Sequence, residues 1–194
     1  MSTINDLNIA GTNVSPKSID LTEMATKASG AWPKGWYAAE VIEGYTAGGH
    51  QFLTENRVSR SGDSFNLQLC FRIKNDAGDE RTTFASLNYR AFDFTVERIA
   101  TIQNLRKEMA GTRGAWPGFK DEQRSSLALG QLGQLQAASG APLTQREDGG
   151  LIAGVFTGRK FFVRLTVNEE SGYNEINAFS AYPSGVAPKA AKKS

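Results

Sequence analysis

Apolar and polar residues alternate with a period of two along several stretches of the chain, which is the pattern of a half-buried β-strand. The clearest stretch is SFNLQLCFRIK, residues 64–74, where every second side chain is large and apolar. The same alternation, less regular, marks residues 36–45, 81–89, 159–168 and 173–182. The pattern therefore predicts five strands, and the turn sequence NDAGDE between the second and third favours a hairpin.

The period changes to that of a helix between the third and fourth predicted strands. Apolar residues at helical spacing predict one helix over residues 94–109, ended by Gly111, and a second over residues 121–139, ended by Gly140. Three strands, a helical insertion at about 92–140 and two further strands describe a mostly β protein with an OB-fold-like, five-stranded antiparallel barrel. Periodicity alone does not exclude other α+β folds with the same number of strands.

The segments outside these elements are polar. Residues 46–63, TAGGHQFLTENRVSRSGD, are interpreted as a loop after the first strand. Residues 1–30 are rich in Ser, Thr, Asn and Asp and predict a flexible N-terminal arm, whereas residues 184–194 contain three lysines and no acid and predict a disordered basic tail. The folded domain is therefore predicted to span residues 31–183.

Composition narrows the class of protein only moderately. With 194 residues, 40% of them hydrophobic, the chain is long enough for one domain with a sizeable core. A formal charge of +2 permits an anionic partner without requiring one. Cys70 is the single cysteine, so no intramolecular disulfide forms, and no long apolar or secretory segment is present. We expect a soluble cytoplasmic protein with no membrane partner.

The stretch GRKFFVRLTV, residues 158–167, places an aromatic ring between cations. Strand alternation turns Phe161 and the alternate apolar residues after it toward the core. The opposite face then carries Lys160, Phe162 and Arg164. The sequence thus predicts an outward phenyl ring where a strand facing water ordinarily carries polar side chains.

An exposed ring between cations suits single-stranded nucleic acid. Any nucleobase stacks on such a ring, while neighbouring Lys and Arg side chains neutralise phosphates, and neither contact requires a particular base. The alternative is that Phe162 packs under the helical insertion or against another subunit, with the cations reaching past it to water.

Other cations and aromatic residues on the predicted strands and loops extend this candidate site. A lone arginine is ordinarily a solvated surface charge, so the set carries more weight than any member. Three acids in the same stretch, Glu169, Glu170 and Glu175, oppose the cations unless the two signs lie on different faces. The predicted nucleic-acid-binding residues are five cations that would line a groove, Arg57, Arg60, Arg72, Lys160 and Arg164, and five aromatic stacking platforms, Trp36, Tyr89, Phe162, Tyr173 and Phe179.

Catalytic chemistry finds little support in the sequence. His50 is the only histidine, so a Ser-His-Asp or Cys-His arrangement would have to use it. Arg72, two positions after Cys70, favours a lower pKa of the thiol, but a lone cysteine and a lone histidine are ordinarily structural. One cysteine and one histidine do not make a usual zinc site, and neither phosphate-binding glycine motif, GxxxxGK[ST] or GxGxxG, occurs. We therefore predict no catalytic residues, metal or cofactor, and rank a metal-dependent hydrolase last.

Four segments in order carry a resemblance to a known family: PKGWYAAEVIEG, LALGQLGQLQAASG, LIAGVFTGRKFFVRLTV and GYNEINAFSAYPSG. Together they resemble bacteriophage proteins catalogued as a domain of unknown function, which are similar to phage single-stranded DNA-binding proteins with an OB-fold. The resemblance covers about residues 32–183 and rests on order and spacing. It implies a replication or recombination accessory that coats single strands without sequence preference, in the host bacterial cytoplasm.

Two features depart from that family. The first predicted helix and the following AWPGF loop are longer than its pattern needs, which suggests a contact within a homo-oligomer. The chain also ends in AAKKS, whereas bacterial single-strand binders end in an acidic tail that recruits partners. We expect sequence-independent binding of single-stranded DNA, with RNA left open as a ligand, and with replication or recombination proteins left open as partners. The alternative is a phage protein-interaction module that modulates a host or phage enzyme.

Overall fold

Strands dominate the part of the chain that the computed structural model describes, residues 30–60, 62, 64–110 and 115–185. The strands are β1 (Gly35–Ile42), β2 (Gly44–Ala47), β3 (His50–Leu53), β4 (Glu55–Val58), β5 (Ser64–Lys74), β6 (Glu80–Arg90), β7 (Lys160–Val167) and β8 (Asn174–Ser180). Two helices, α1 (Val96–Glu108) and α2 (Lys120–Ser139), lie between β6 and β7. Apart from Gly30, Ser184 and Gly185, the predicted arm and tail lie outside the described residues.

The main sheet has the strand order β4-β5-β1-β7-β8, and β6 pairs with the other edge of β5. Every pair in it is antiparallel. Its five longer strands form a curled half-barrel in the order β6-β5-β1-β7-β8. The helix α2 packs against β6 and β8, the strands at the two ends of this half-barrel. The fold is therefore mostly β and OB-like, with the helices inserted after the third long strand, as the alternation and its change of period predicted.

The predicted loop over residues 46–63 is the main error in the sequence-based assignment, because it contains β3, β4 and the second half of β2. β2 and β3 form a hairpin, with Ala47 paired to His50 across Gly48 and Gly49. Both glycines have positive φ, 56° and 78°, which a tight two-residue hairpin turn requires. The AGGH sequence was a sufficient signal for this hairpin. β4, which follows it, pairs with the first half of β5.

The hydrophobic core lies between the concave face of the sheet and α2. From the sheet it receives the alternate apolar residues of β5, including Leu67, Leu69 and Phe71, all completely buried. From α2 it receives Leu132 and Leu135, also completely buried, with Ala128 and Ala138 where the helix comes close to the strands. A face that buries its apolar side chains leaves the opposite, convex face of the sheet to carry polar and functional residues.

A buried carboxylate connects the helical insertion to the barrel. Asp93, 1% exposed, lies in a single 3₁₀ turn (Ala91–Phe94) between β6 and α1. It accepts hydrogen bonds from Ser125 Oγ of α2 (2.6 Å) and from the backbone N–H of Arg90 (3.1 Å). The Arg90 and Arg98 guanidiniums lie 3.7 and 3.8 Å from its Oδ1 atom. The single carboxylate therefore holds β6, α1 and α2 together.

Candidate nucleic-acid interface

Register between β1, β5 and β7 brings the predicted residues of three strands onto one surface. Directly paired residues of antiparallel strands point to the same side of a sheet. One row across the sheet therefore contains Lys160, Glu40 and Arg72, and the next contains Phe162, Ala38 and Lys74. Arg164 and Trp36 form a third row. We call this surface, defined by these eight residues, the outer face.

The predicted alternation of β7 is confirmed. Phe161, Val163 and Leu165 are buried, with exposed fractions of 4%, 0% and 0%. Lys160 is exposed, and Phe162 and Arg164 are half-buried on the opposite side. The phenyl ring of Phe162 therefore lies at the surface of the sheet and outside the core.

An open groove with a volume of about 370 Å³ runs along the outer face. Small residues, Ala38 of β1 and Ala181 after β8, leave room beside the ring of Phe162. The remaining lining side chains include Glu40, Arg72, Lys74, Glu80 and Lys160. All of these residues belong to strands except Ala181, which directly follows β8, so the groove is formed without the helical insertion.

The groove combines opposite charges. Glu40 Oε2 lies 4.0 Å from Arg72 Nη1 and 3.9 Å from Lys160 Nζ. Lys74 Nζ lies 3.6 Å from Glu80 Oε1. Sequence reasoning did not select Lys74 or either acid. The even spacing of Arg72 and Lys74 on β5 was a signal for the lysine, whereas the acids become relevant only through strand pairing.

Trp36 and Arg164 lie at one end of the groove, paired across β1 and β7. Both side chains are half-buried. Gly185, which has a φ of 73°, lies against the indole so closely that a Cβ atom at this position would overlap the ring. One side of Trp36 is therefore covered by the chain that follows β8, next to the row that holds Phe162.

The structure separates two predicted arginines from the groove. Arg57 lies on β4 and pairs with Asn66, six residues before Arg72 on β5. At the rise of an extended strand this separation is about 20 Å. The Arg57 guanidinium forms an ion pair with Glu55 of its own strand. Arg60, in the turn after β4, is exposed.

Tyr89 was wrongly predicted as a stacking platform, because it is 2% exposed. Its ring stacks on Phe65 in the core, at 5.4 Å between centroids. Its hydroxyl accepts hydrogen bonds from the backbone N–H of Leu151 (2.6 Å) and from Asn56 Nδ2 (2.5 Å). Burial raises the pKa of this phenol. Tyr89 therefore connects β6 to β4 and to the segment after α2.

Replacement of Tyr89 by phenylalanine is expected to lower the free energy of unfolding by about 1 to 2 kcal/mol, because the buried N–H of Leu151 loses its acceptor. Chemical denaturation measures this change. The matched control is Tyr173→Phe, since Tyr173 is 68% exposed and its substitution should leave stability unchanged. Unchanged stability of Tyr89→Phe would instead show that the hydroxyl does not hold the Leu151 segment to the barrel.

Phe179 was also wrongly predicted as an exposed platform. It is 5% exposed and packs in the core with Phe71 and Phe161, at ring-centroid distances of 6.3 and 6.1 Å. The register between β7 and β8 shifts between Arg164 and Leu165. This bulge changes which residues of β8 point inward. The even spacing between Tyr173 and Phe179 predicted that both side chains share one face of the strand, and the bulge places Phe179 on the other face.

Tyr173 is exposed but lies away from the groove. It precedes β8 in the turn after β7, where its carbonyl accepts a hydrogen bond from the backbone N–H of Asn168 (2.9 Å). Val167, paired with the first residue of β8, is five residues from Phe162 along β7. This corresponds to about 17 Å. Tyr173 therefore lies beyond the Arg164 end of the outer face.

An aromatic stack that sequence reasoning missed borders the outer face. Tyr45 of β2 stacks on Phe52 of β3 at 4.9 Å, and Phe52 stacks on Phe84 of β6 at 5.1 Å. Phe84 is 39% exposed and pairs with Cys70, two residues before Arg72 on β5. Burial raises the pKa of Tyr45 to about 12. Recognition of the Gly-Gly hairpin would have indicated that these rings meet.

The environment of Cys70 is that of a buried structural cysteine. Cys70 is completely buried, and its backbone N–H donates to Thr54 Oγ1 (2.9 Å) in the bend that follows β3. Burial raises the pKa of the Cys70 thiol, so the predicted lowering by Arg72 was wrong. His50 is exposed in the β2–β3 hairpin. Among the described residues, no group of three or more His, Cys, Asp or Glu side chains is arranged to hold a metal ion.

No protein-family model matches the chain, and no curated protein matches it either. Within residues 30–60, 62, 64–110 and 115–185, neither helix is long and apolar enough to cross a membrane. The resemblance to phage single-strand binders therefore stays a prediction.

Proposed function

We propose that the protein binds single-stranded DNA along the outer face without strong base preference. The observation that carries the proposal is the outward ring of Phe162, set between Lys160 and Arg164 and beside the Arg72–Lys74 pair of β5. We expect such a protein to act in replication, recombination or repair, and in the host cytoplasm if a phage encodes it.

The groove supplies both kinds of contact that a single strand needs. Phe162 offers a ring face for a nucleobase, and the small residues Ala38 and Ala181 leave space beside it. Lys160 and Arg72 lie two strand spacings apart, which is about 10 Å across the sheet. Their exposed side chains are therefore close enough to contact neighbouring phosphates of one strand. Trp36 and the Phe84 stack extend the same surface in opposite directions.

A gel shift that compares single-stranded and duplex oligonucleotides at two ionic strengths tests the proposal. We expect retardation of oligo(dT), weak retardation of a duplex, and steep loss of affinity as salt rises, because released counterions drive association. Trp36 supplies an independent signal, since a strand on the outer face should quench its fluorescence. Binding that does not respond to salt would contradict the phosphate contacts.

Replacement of Arg72 by alanine should reduce the salt dependence of binding, since it removes one phosphate contact. For a single strand, the slope of log K against log salt should become shallower by about 0.7. Fluorescence titration with oligo(dT) at four salt concentrations measures the slope. The matched control is Arg124→Ala, because Arg124 is exposed on α2 and does not line the groove. An equal change in both variants would indicate a general charge effect.

A protein-interaction module remains the alternative, and the charge balance of the groove favours it. Three lining cations face two carboxylates, Glu40 and Glu80, so the groove is only weakly positive. A mixed-charge protein surface would suit this pattern. The variants Phe162→Ala and Arg164→Ala discriminate, because they should weaken DNA binding if DNA is the ligand and leave it unchanged if a protein is. The metal-dependent hydrolase alternative predicts activity that a chelator removes.

A further inference from the structure

Glu40 is the central residue of the outer face. On β1 it pairs with Arg72 of β5 on one side and with Lys160 of β7 on the other. The same carboxylate oxygen, Oε2, lies 4.0 Å from Arg72 Nη1 and 3.9 Å from Lys160 Nζ. Arg72 and Lys160, the two cations that would contact phosphate, therefore share the carboxylate of Glu40.

The two ion pairs are loose. Both distances exceed hydrogen-bond length, and the side chains of Glu40, Arg72 and Lys160 are 34%, 50% and 75% exposed. In the described part of the chain, the Glu40 carboxylate has no hydrogen-bond partner that would fix its position. Exposed pairs of this kind contribute little to stability, and glutamate is unfavourable in strands. Stability therefore does not explain a carboxylate at this position.

We propose that Glu40 is a built-in competitor for phosphate, which lowers the affinity of the groove for single-stranded DNA. The inference rests on the proposed function and concerns the same site. A carboxylate and a phosphate oxygen accept the same charge-assisted hydrogen bonds from Arg and Lys. A phosphate between Arg72 and Lys160 meets the negative charge of Glu40, so the carboxylate must turn away while still repelling the ligand.

The consequence is a binding site that releases DNA readily. Repulsion between Glu40 and a bound phosphate raises the dissociation rate, because the two like charges remain close in the complex. It also reduces the effective positive charge that the groove presents to DNA, which makes the salt dependence shallower. A protein that coats single strands during replication must give them up, and Glu40 supplies a physical means for this.

The test compares Glu40→Gln with Glu43→Gln in the full chain, using oligo(dT) as the probe. Both substitutions remove one negative charge, but Glu43 is exposed beyond the end of β1 and does not line the groove. Glu40→Gln should bind about three- to tenfold more tightly, as expected for one repulsive charge near the surface. Its salt slope should steepen by about 0.7. Glu43→Gln should stay within about twofold of the wild type, because its charge is distant and screened.

The other possible results contradict the inference, and one of them also contradicts the proposed function. Unchanged binding by Glu40→Gln, or an equal gain in both variants, overturns the inference and leaves the proposed function intact. Weaker binding by Glu40→Gln also overturns it, since Glu40 would then position Arg72 and Lys160 for the ligand. Failure of wild type and both variants to bind oligo(dT) overturns the proposed function and the inference together. Thermal denaturation should give the same midpoint for all three proteins.

Discussion

Replacement of Phe162 by alanine is expected to weaken oligo(dT) binding by about 2 kcal/mol, which is roughly thirtyfold. The physical reason is loss of the ring face that lies between Lys160 and Arg164 at the surface. Because the ring is half-buried, its removal leaves no closed cavity, and the free energy of unfolding should fall by only about 1 kcal/mol. Fluorescence titration measures binding, and chemical denaturation measures stability.

Phe119→Ala is the matched control for this prediction. Phe119 is 39% exposed and precedes α2 in the helical insertion, away from the residues that line the groove. The same loss of a phenyl ring there should leave DNA affinity unchanged. Equal affinity of the wild type and Phe162→Ala would remove the stacking contact from the proposal, and loss of affinity in both variants would point to a nonspecific cause.

Replacement of Asp93 by asparagine is expected to lower the free energy of unfolding by about 3 to 5 kcal/mol, because it leaves two largely buried guanidiniums without their shared carboxylate. Arg98 keeps its ion pair with Glu122 (2.9 Å), but its Nε atom, which is buried without a hydrogen bond in the described structure, loses the charge of Asp93. A domain of this size should lose about 10 °C in melting temperature. Differential scanning calorimetry checks this value.

Asp121→Asn separates burial from mere removal of a charge. Asp121 also faces Arg90, at 3.8 Å, but its side chain is 65% exposed, whereas that of Asp93 is 2% exposed. Solvent screens the exposed pair, so Asp121→Asn should cost less than about 0.5 kcal/mol. Similar stability losses in the two variants would show that the buried network does not hold the insertion to the barrel.

The long strands and the helices were predictable because their signals are local. The predicted strand 64–74 is observed as Ser64–Lys74, and the second predicted helix, residues 121–139, as Lys120–Ser139. The first helix begins at Val96, two residues later than predicted, because Thr95 Oγ1 accepts the Arg98 N–H and caps it. The short strands were missed, because the Gly-Gly turn was interpreted as part of a polar loop.

The candidate site was predictable only in part. Trp36, Arg72, Lys160, Phe162 and Arg164 meet on the outer face. Arg57, Arg60 and Tyr173 lie away from the groove, and Tyr89 and Phe179 belong to the core. Exposure of an aromatic ring depends on what packs over it, and neither residue type nor strand parity contains that information when a bulge intervenes.

The sequence by itself determined the order of the long strands and helices, and the outward position of Phe162, because strand and helix periodicity depends on neighbours along the chain. Only the tertiary structure decided that Glu40 lies between Arg72 and Lys160, that the hairpin and its neighbours bury Cys70, and that Phe179 turns inward. These outcomes depend on which residues distant strands place opposite one another, and a single residue of register changes the face on which every side chain lies.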